Sequence, residues 1–238
     1  MKIVREPLAL AHSTLWESIK NGLIVSCQAP PKSAMDRPEI MAAIAQTVES
    51  AGAIAIRAEG IENVRAIKNV VNIPVIGLVK RRTNDSSVYI TPTPADVQAL
   101  VQVGADIIAF DATDRARSNG KGLAFFIKEV RALTNIALLG DVDSIESAQV
   151  AMEMGIEALA STLSGYTDRV VENRPDLELV KKISAIFDGP LIAEGGYSTP
   201  DEIRDAFDLG AWAVCVGTAI TNPYLLTQKF LGSGLKIK

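Results

Sequence analysis

The run from Val75 to Lys80 stays apolar until its last residue, where an amine is followed at once by two guanidinium side chains, Arg81 and Arg82. Desolvation and like charge both favour the neutral form of such a lysine. Bringing it from about 10.4 to about 7.5 takes roughly 4 kcal/mol of differential environment, which two neighbouring cations and partial burial can supply. A neutral Lys80 is a general base or a Schiff-base nucleophile, whereas a charged one is a salt-bridge partner of Glu194 or Asp111 with no chemistry. Glu194 ends a second apolar run, Pro190 to Glu194, directly ahead of Gly195 and Gly196. A carboxylate beside a bound phosphate has its pKa raised and can carry a proton; otherwise Glu194 is the counter-ion of Lys80 or Arg57. Arg57 has the planar fork that grips substrate oxygens in pairs, or it pairs with a neighbouring acid. Gln28 and Asp141 suit hydrogen bonds to sugar hydroxyls, and equally the capping of loops. Asp111 and Asp114 are two aspartates without further ligands, so a loop role is favoured over a metal site.

Two glycine-bearing segments complete the set. In AEGGYSTPDEI and CVGTAITNP, Gly195, Gly196, Gly217 and Thr218 stand between an apolar run and a helix start. Backbone N–H groups there can hold a phosphate, because without a Cβ the chain approaches an anion closely. The alternative is that these glycines only make tight turns.

Such residues have to be brought to one place, and the chain alternates in a way that does so. Eight β-branched runs, at 22–27, 53–57, 74–79, 106–110, 136–140, 156–161, 190–193 and 212–216, are predicted strands. Between them lie helical patterns such as PEIMAAIAQTVESAG and TPDEIRDAFDLGA, which open on Pro, Ser, Thr, Asp or Glu and close near Gly. A weak repeat supports the count: Gly52, Gly104, Gly155 and Gly210 precede the even-numbered strands at spacings of 52, 51 and 55 residues. Four repeats of two βα units predict an α/β fold of the (β/α)8 TIM-barrel type, one domain over residues 1–238, with an extra helix near 9–20 closing the barrel floor. An open doubly wound sheet is disfavoured, since the turn after Cys27 is QAPPKS and not a GxGxxG loop. In a barrel the chemistry stands at the carboxyl ends of the strands. Read that way, strand one ends at Gln28, two at Arg57, three at Lys80, four at Asp111, five at Asp141, six at Ser161 and Thr162, seven at Glu194, and eight at Gly217 and Thr218.

Composition narrows the chemistry from the other side. The 238 residues include one histidine and two cysteines, and 24 basic against 28 acidic residues leave a net charge of −4. The lone His12 excludes sites that need paired histidines, and Cys27 with Cys215 makes neither a disulfide framework nor a zinc cage. Both cysteines fall in apolar runs, where buried free thiols are common. Mild acidity without a Lys/Arg cluster argues against nucleic acid. No apolar run reaches the length of a membrane span or a signal peptide, so the expectation is a cytoplasmic protein. The pattern ELVKKISAIF offers a homodimer face, and serves equally as a helix packed on its own sheet.

With these residues in place, the sequence resembles the N-acetylmannosamine-6-phosphate 2-epimerase family over nearly its whole length. The segments that carry the resemblance are GLIVSCQA at 22–29, AIRAEG at 55–60, IGLVKR at 76–81 with VYITPT at 88–93, FDAT at 110–113, GDVDSIE at 140–146, STLSGYT at 161–167 and AEGGYSTP at 193–200. Several ordered motifs are far more specific than any one glycine pattern. The resemblance implies a phosphate-binding barrel of the ribulose-phosphate type. It also implies interconversion of N-acetylmannosamine 6-phosphate and N-acetylglucosamine 6-phosphate by inversion at C2, in sialic acid and amino sugar catabolism, with no cofactor and no required metal. The family's catalytic lysine and carboxylate fall on Lys80 and Glu194, and its substrate-contacting Gln, Arg and Asp fall on Gln28, Arg57 and Asp141. One position departs: many members resemble Ile-Thr-Arg-Pro where this chain has Asn222. Asparagine brings no charge to the substrate, though its amide still donates two hydrogen bonds.

Overall fold

The structure is a computed structural model that describes residues 12–232, apart from 83, 119, 170, 172 and 173. Eight parallel strands, β1 (Leu23–Cys27), β2 (Ala55–Glu59), β3 (Val75–Leu78), β4 (Ile107–Asp111), β5 (Ala137–Asp141), β6 (Ala158–Ala160), β7 (Leu191–Glu194) and β8 (Ala213–Val216), pair in chain order. Strand β8 returns to β1 and closes the barrel. The helices are α1 (Ser13–Ser18), α2 (Pro38–Ser50), α3 (Ile61–Lys68), α4 (Pro94–Gln102), α5 (Leu123–Leu133), α6 (Ile145–Glu153), α7 (Leu177–Ile186), α8 (Pro200–Asp208), α9 (Thr218–Thr221) and α10 (Pro223–Gly232).

Local chemistry explains where the helices begin and end. Thr93 and Thr199 form reciprocal capping boxes with Asp96 and Glu202, each with Pro at the first helical position, so α4 and α8 start where their polar residues satisfy the free N–H groups. The four-fold glycine repeat is a set of helix stops. Gly52, Gly104, Gly155 and Gly210 have φ of +104°, +85°, +75° and +97°. After each of them the next N–H reaches back five residues: Ala53 to Val48 O at 2.9 Å, Ala105 to Leu100 O at 3.1 Å, Ile156 to Ala151 O at 3.1 Å and Ala211 to Ala206 O at 3.0 Å. This is the Schellman closure, and it needs a residue free to adopt positive φ.

Two apolar layers hold the barrel. One lies between sheet and helices, and the other fills the lumen with Ile24, Ala55, Ile76, Ile107, Ala109, Leu139, Ala158, Ala160 and Ala213. At the floor Trp16 and Ile19 pack into the lumen cluster, and the Trp212 indole donates to Trp16 O at 2.8 Å. The expected extra helix is thus Ser13–Ser18; residues 9–11 of that expectation lie outside the described residues. Leu179, Val180 and Ile183 of α7 are buried against the protein's own core, so the apolar side of ELVKKISAIF faces its own barrel. Among the described residues, no helix is long and apolar enough to cross a membrane.

Strand β2 departs from expectation by two residues, running to Glu59 where the reading stopped at Arg57. The reason is that Arg57 belongs to the lumen: it alternates with Ala55 and Glu59, and its charge is neutralised inside the barrel. A charge so neutralised does not end a strand. The small lumen residues leave room for the guanidinium.

Candidate active site

A cavity of about 800 Å³ opens at the carboxyl ends of the strands. Gln28, Arg57, Lys80, Glu194, Gly195, Gly196, Gly217, Thr218 and Asn222 all line it, so nine of the ten residues expected from sequence are brought together. Asp141 is the exception. It is fully buried, off the cavity wall, and its carboxylate accepts from Arg57 Nη1 at 3.0 Å and Nη2 at 2.6 Å. Asp141 therefore stands behind Arg57, where the expectation had it reach the sugar directly.

Arg57 is the hub of the site. Besides Asp141 its Nη1 lies 3.0 Å from Glu194 Oε2, and its Nε–H has no hydrogen-bond partner among the described residues. Burial opposes its charge, but Asp141 and Glu194 more than offset this and hold the guanidinium firmly protonated. Its fork is thus occupied by protein carboxylates.

Lys80 reaches solvent through the mouth, and its Nζ donates to Gln28 Oε1 at 2.6 Å while Gln28 Nε2 donates to Ser26 Oγ at 2.8 Å. Its pKa is lowered from the ordinary lysine value, first because surrounding protein withholds water and then because Arg57 is close; Glu59, Glu194 and Asp141 push the other way. The direction agrees with expectation, but the neighbours differ. Arg81 pairs with Asp96 at 2.6 Å and Arg82 stacks over the Tyr89 ring at 4.3 Å, so the cation that acts on Lys80 is Arg57. Lys80 follows β3 and pairs with Ile90 in an antiparallel bridge, and Arg82, engaged with Tyr89, lines the same cavity.

Glu194 shows the opposite tendency. Burial raises its pKa, Asp141 adds to this, and Arg57, Thr162 and Lys80 offset only part of it. Of its two alternative counter-ions, Arg57 is the one it meets. The site thus combines an amine whose pKa is lowered with a carboxyl group whose pKa is raised.

Gly195 and Gly196 have φ of +115° and +86°, so the turn after β7 is built from conformations that L side chains resist. A Cβ on Gly196 would lie 2.8 Å from Arg174 Cβ, and one on Gly217 would lie 3.2 Å from Ser26 Cβ. Asn222 Oδ1 accepts from Leu225 N at 3.0 Å and caps the first turn of α10, which gives the asparagine a local task of its own. Asp111 serves its loop, accepting from Thr113 N at 3.1 Å and Thr113 Oγ1 at 2.6 Å and pairing with Arg115 at 2.5 Å, while Asp114 is exposed.

Of the other cavity residues, Glu59 and Tyr89 were not singled out from sequence, while Thr162 was named only as the end of strand six and Cys215 only as a buried thiol. Period-two alternation from Arg57 points to Glu59. Cys215 alternates with Ala213 into the lumen, and burial together with Glu194 raises its pKa well above the thiol value, so it stays protonated. Burial likewise pushes Cys27 up to about 12. Thr162 carries no type-specific sign in the sequence.

Comparison with known proteins shows the family. Residues 41–234 match the family model NanE, described as "Putative N-acetylmannosamine-6-phosphate epimerase". A protein of Caldanaerobacter subterraneus subsp. tengcongensis that bears the 2-epimerase form of that name is 42% identical over 217 residues, covering 90% of this chain and 92% of its own. One of the same name from Klebsiella pneumoniae is 46% identical over 201 residues, 84% of each chain. The solved structure of N-acetylmannosamine-6-phosphate 2-epimerase from Clostridium perfringens superposes with a TM-score of 0.87 at 35% identity, over 92% of this chain and 95% of that one.

Proposed function

The chain belongs to the N-acetylmannosamine-6-phosphate epimerase family, and from that premise we propose that it interconverts N-acetylmannosamine 6-phosphate and N-acetylglucosamine 6-phosphate with Lys80 and Glu194 as its proton-transfer pair. The observation that carries this reading is the opposed tendency of the two groups within one cavity, lysine toward the neutral amine and glutamate toward the acid, with Arg57 between them. Carbon acidity dictates the order of events. The C2 hydrogen is usefully acidic only when C1 is a free aldehyde, so the sugar ring opens first, assisted by Glu194 at the ring or C1 oxygen. Neutral Lys80, aligned by Gln28, then takes the C2 proton and leaves an enediol-like intermediate. Arg57, whose charge is fixed by Asp141, stabilises the developing oxyanion. A proton returned to the opposite face inverts C2. The turns at Gly195–Gly196 and Gly217–Thr218 hold the phosphate, and that remote binding orients C2. Asn222 contributes a neutral amide at the same wall. A sugar phosphate dianion does not cross a bilayer unaided. The same reading therefore places the protein in the cytoplasm, in the catabolism of amino sugars from sialic acids.

The test is direct. Purified protein given either epimer, followed by proton NMR of the anomeric signals, should approach one equilibrium mixture from both sides. Absence of conversion in both directions would overturn the function. Borohydride added during turnover should leave the protein mass unchanged; a substrate-sized increase on Lys80 would show a Schiff base and displace the proton-transfer role.

A further inference from the structure

We propose that Thr162 is a positioning residue for Glu194: its single hydroxyl proton, held between two carboxylates, turns to Glu194 when that group is ionised and to Asp141 when Glu194 is protonated, and so keeps Glu194 in one orientation in both of its protonation states. The proposal rests on the proton-carrying role given to Glu194 above. Thr162 Oγ1 lies 2.8 Å from Asp141 Oδ1 and 3.0 Å from Glu194 Oε2. The same two oxygens are bridged by Arg57 Nη1, at 3.0 Å to each. The two bridges are chemically unequal. A guanidinium nitrogen of this kind carries two hydrogens and serves both oxygens at once, whereas a hydroxyl has one hydrogen and can donate to only one. With Glu194 ionised, Thr162 donates to it. With Glu194 protonated, the carboxyl hydrogen donates to Thr162 Oγ1 and the threonine hydrogen swings to Asp141. The Thr162–Glu194 contact persists and only its direction of donation reverses, while the bond to Asp141 forms when Glu194 is protonated, so the proton is gained or lost without the Glu194 side chain leaving its place.

The surroundings hold Thr162 still enough for this. It is the middle residue of a 3-10 turn, Ser161–Leu163, that follows β6. Ser161 Oγ donates to Glu194 O at 2.9 Å and accepts from Glu194 N at 3.0 Å, and Leu163 N donates to Val142 O at 3.1 Å. The turn is therefore fastened to β7 on one side and to the end of β5 on the other. The ionisable groups that act on Glu194 are Arg57 from β2, Lys80 beyond β3, Asp141 from β5 and Cys215 from β8, and Glu59, Arg82, Tyr89, Tyr166, Tyr197 and Lys229 line the same cavity.

The experiment compares Thr162→Val, which keeps the shape and removes the hydroxyl, with Thr162→Ser, in full pH profiles of kcat and KM with N-acetylmannosamine 6-phosphate. A hydrogen bond to a charged group is worth about tenfold to a hundredfold. Thr162→Val is expected to lose about that much in kcat with KM within about threefold, and its acid limb should move to higher pH, because ionised Glu194 has lost a donor. Thr162→Ser should recover kcat to within about threefold of wild type and restore the limb. The proposal is overturned if Thr162→Val keeps kcat within about twofold with its acid limb unmoved, or if Thr162→Ser is as impaired as Thr162→Val. Should Thr162→Val not fold, Thr162→Ser and Thr162→Ala decide it by the same two readouts. Wild type is run alongside, so a wild-type protein without epimerase activity indicts the function, and an active one paired with unaltered variants indicts only Thr162.

Discussion

At the scale of the residue, the proposed mechanism puts one proton on the pair formed by Lys80 and Glu194. On that proposal, activity needs Lys80 as the free amine and Glu194 as the acid. Rate therefore falls at low pH, where both hold protons, and at high pH, where neither does. Because burial raises Glu194 and burial with Arg57 lowers Lys80, the acid limb should lie above the ordinary carboxylate value of 4.5 and the alkaline limb below 10.5. The two limbs belong to the pair and not to either residue alone. In Glu194→Gln only Lys80 titrates, so the small residual rate should rise with pH and show no alkaline fall; a bell as in wild type would remove Glu194 from the mechanism. Lys80 and Glu194 were legible in the sequence because each is the first charge after an apolar run. Arg57 and Asp141 were legible as candidates too, but their pairing was not: they are 84 positions apart, and a pairing formed across a barrel lumen leaves no mark in local spacing. Thr162 was harder still, since hydroxyl residues follow strands for many reasons.

At the scale of the element, two kinds of positive-φ glycine should separate by experiment. Gly155 ends α6 at φ +75° with nothing within 4 Å of where a Cβ would sit. Gly155→Ala meets only backbone strain, about 1 kcal/mol, and should lower Tm by roughly 2–4 °C with kcat unchanged. Gly196 has φ +86° and Arg174 Cβ at 2.8 Å from the added methyl. Gly196→Ala has to shift the turn after β7, and KM for the sugar phosphate should rise about tenfold or more; an unchanged KM would separate that turn from phosphate binding. The quarter repeat was readable because helix stops of one kind demand glycine at one place. The two-residue error in β2 arose because a buried, neutralised arginine reads in sequence like the end of a strand.

For the whole molecule, the barrel divides its labour between two ends. The floor carries stability: Trp16 is 4% exposed and packs with Ile19 beneath the lumen, on the face opposite the cavity. Trp16→Ala should cost about 3–5 kcal/mol and lower Tm by on the order of 10 °C, while kcat below the new transition stays as in wild type. Loss of kcat without loss of Tm would contradict this division. Eightfold alternation made the closed fold legible, helped by a glycine stop after every second helix of the barrel, whereas the contents of the lumen depend on closure and had to be seen. The central claim is that Lys80 takes the proton from C2. Incubation of N-acetylmannosamine 6-phosphate in deuterated water, with NMR at C2, tests it in wild type and in Lys80→Ala, whose replaced side chain stands at the open mouth and supports no core. The account predicts that wild type forms the epimer with solvent deuterium at C2, and that Lys80→Ala, folded to the same Tm, neither epimerises nor exchanges. Exchange and epimerisation by Lys80→Ala at near wild-type rates would contradict it.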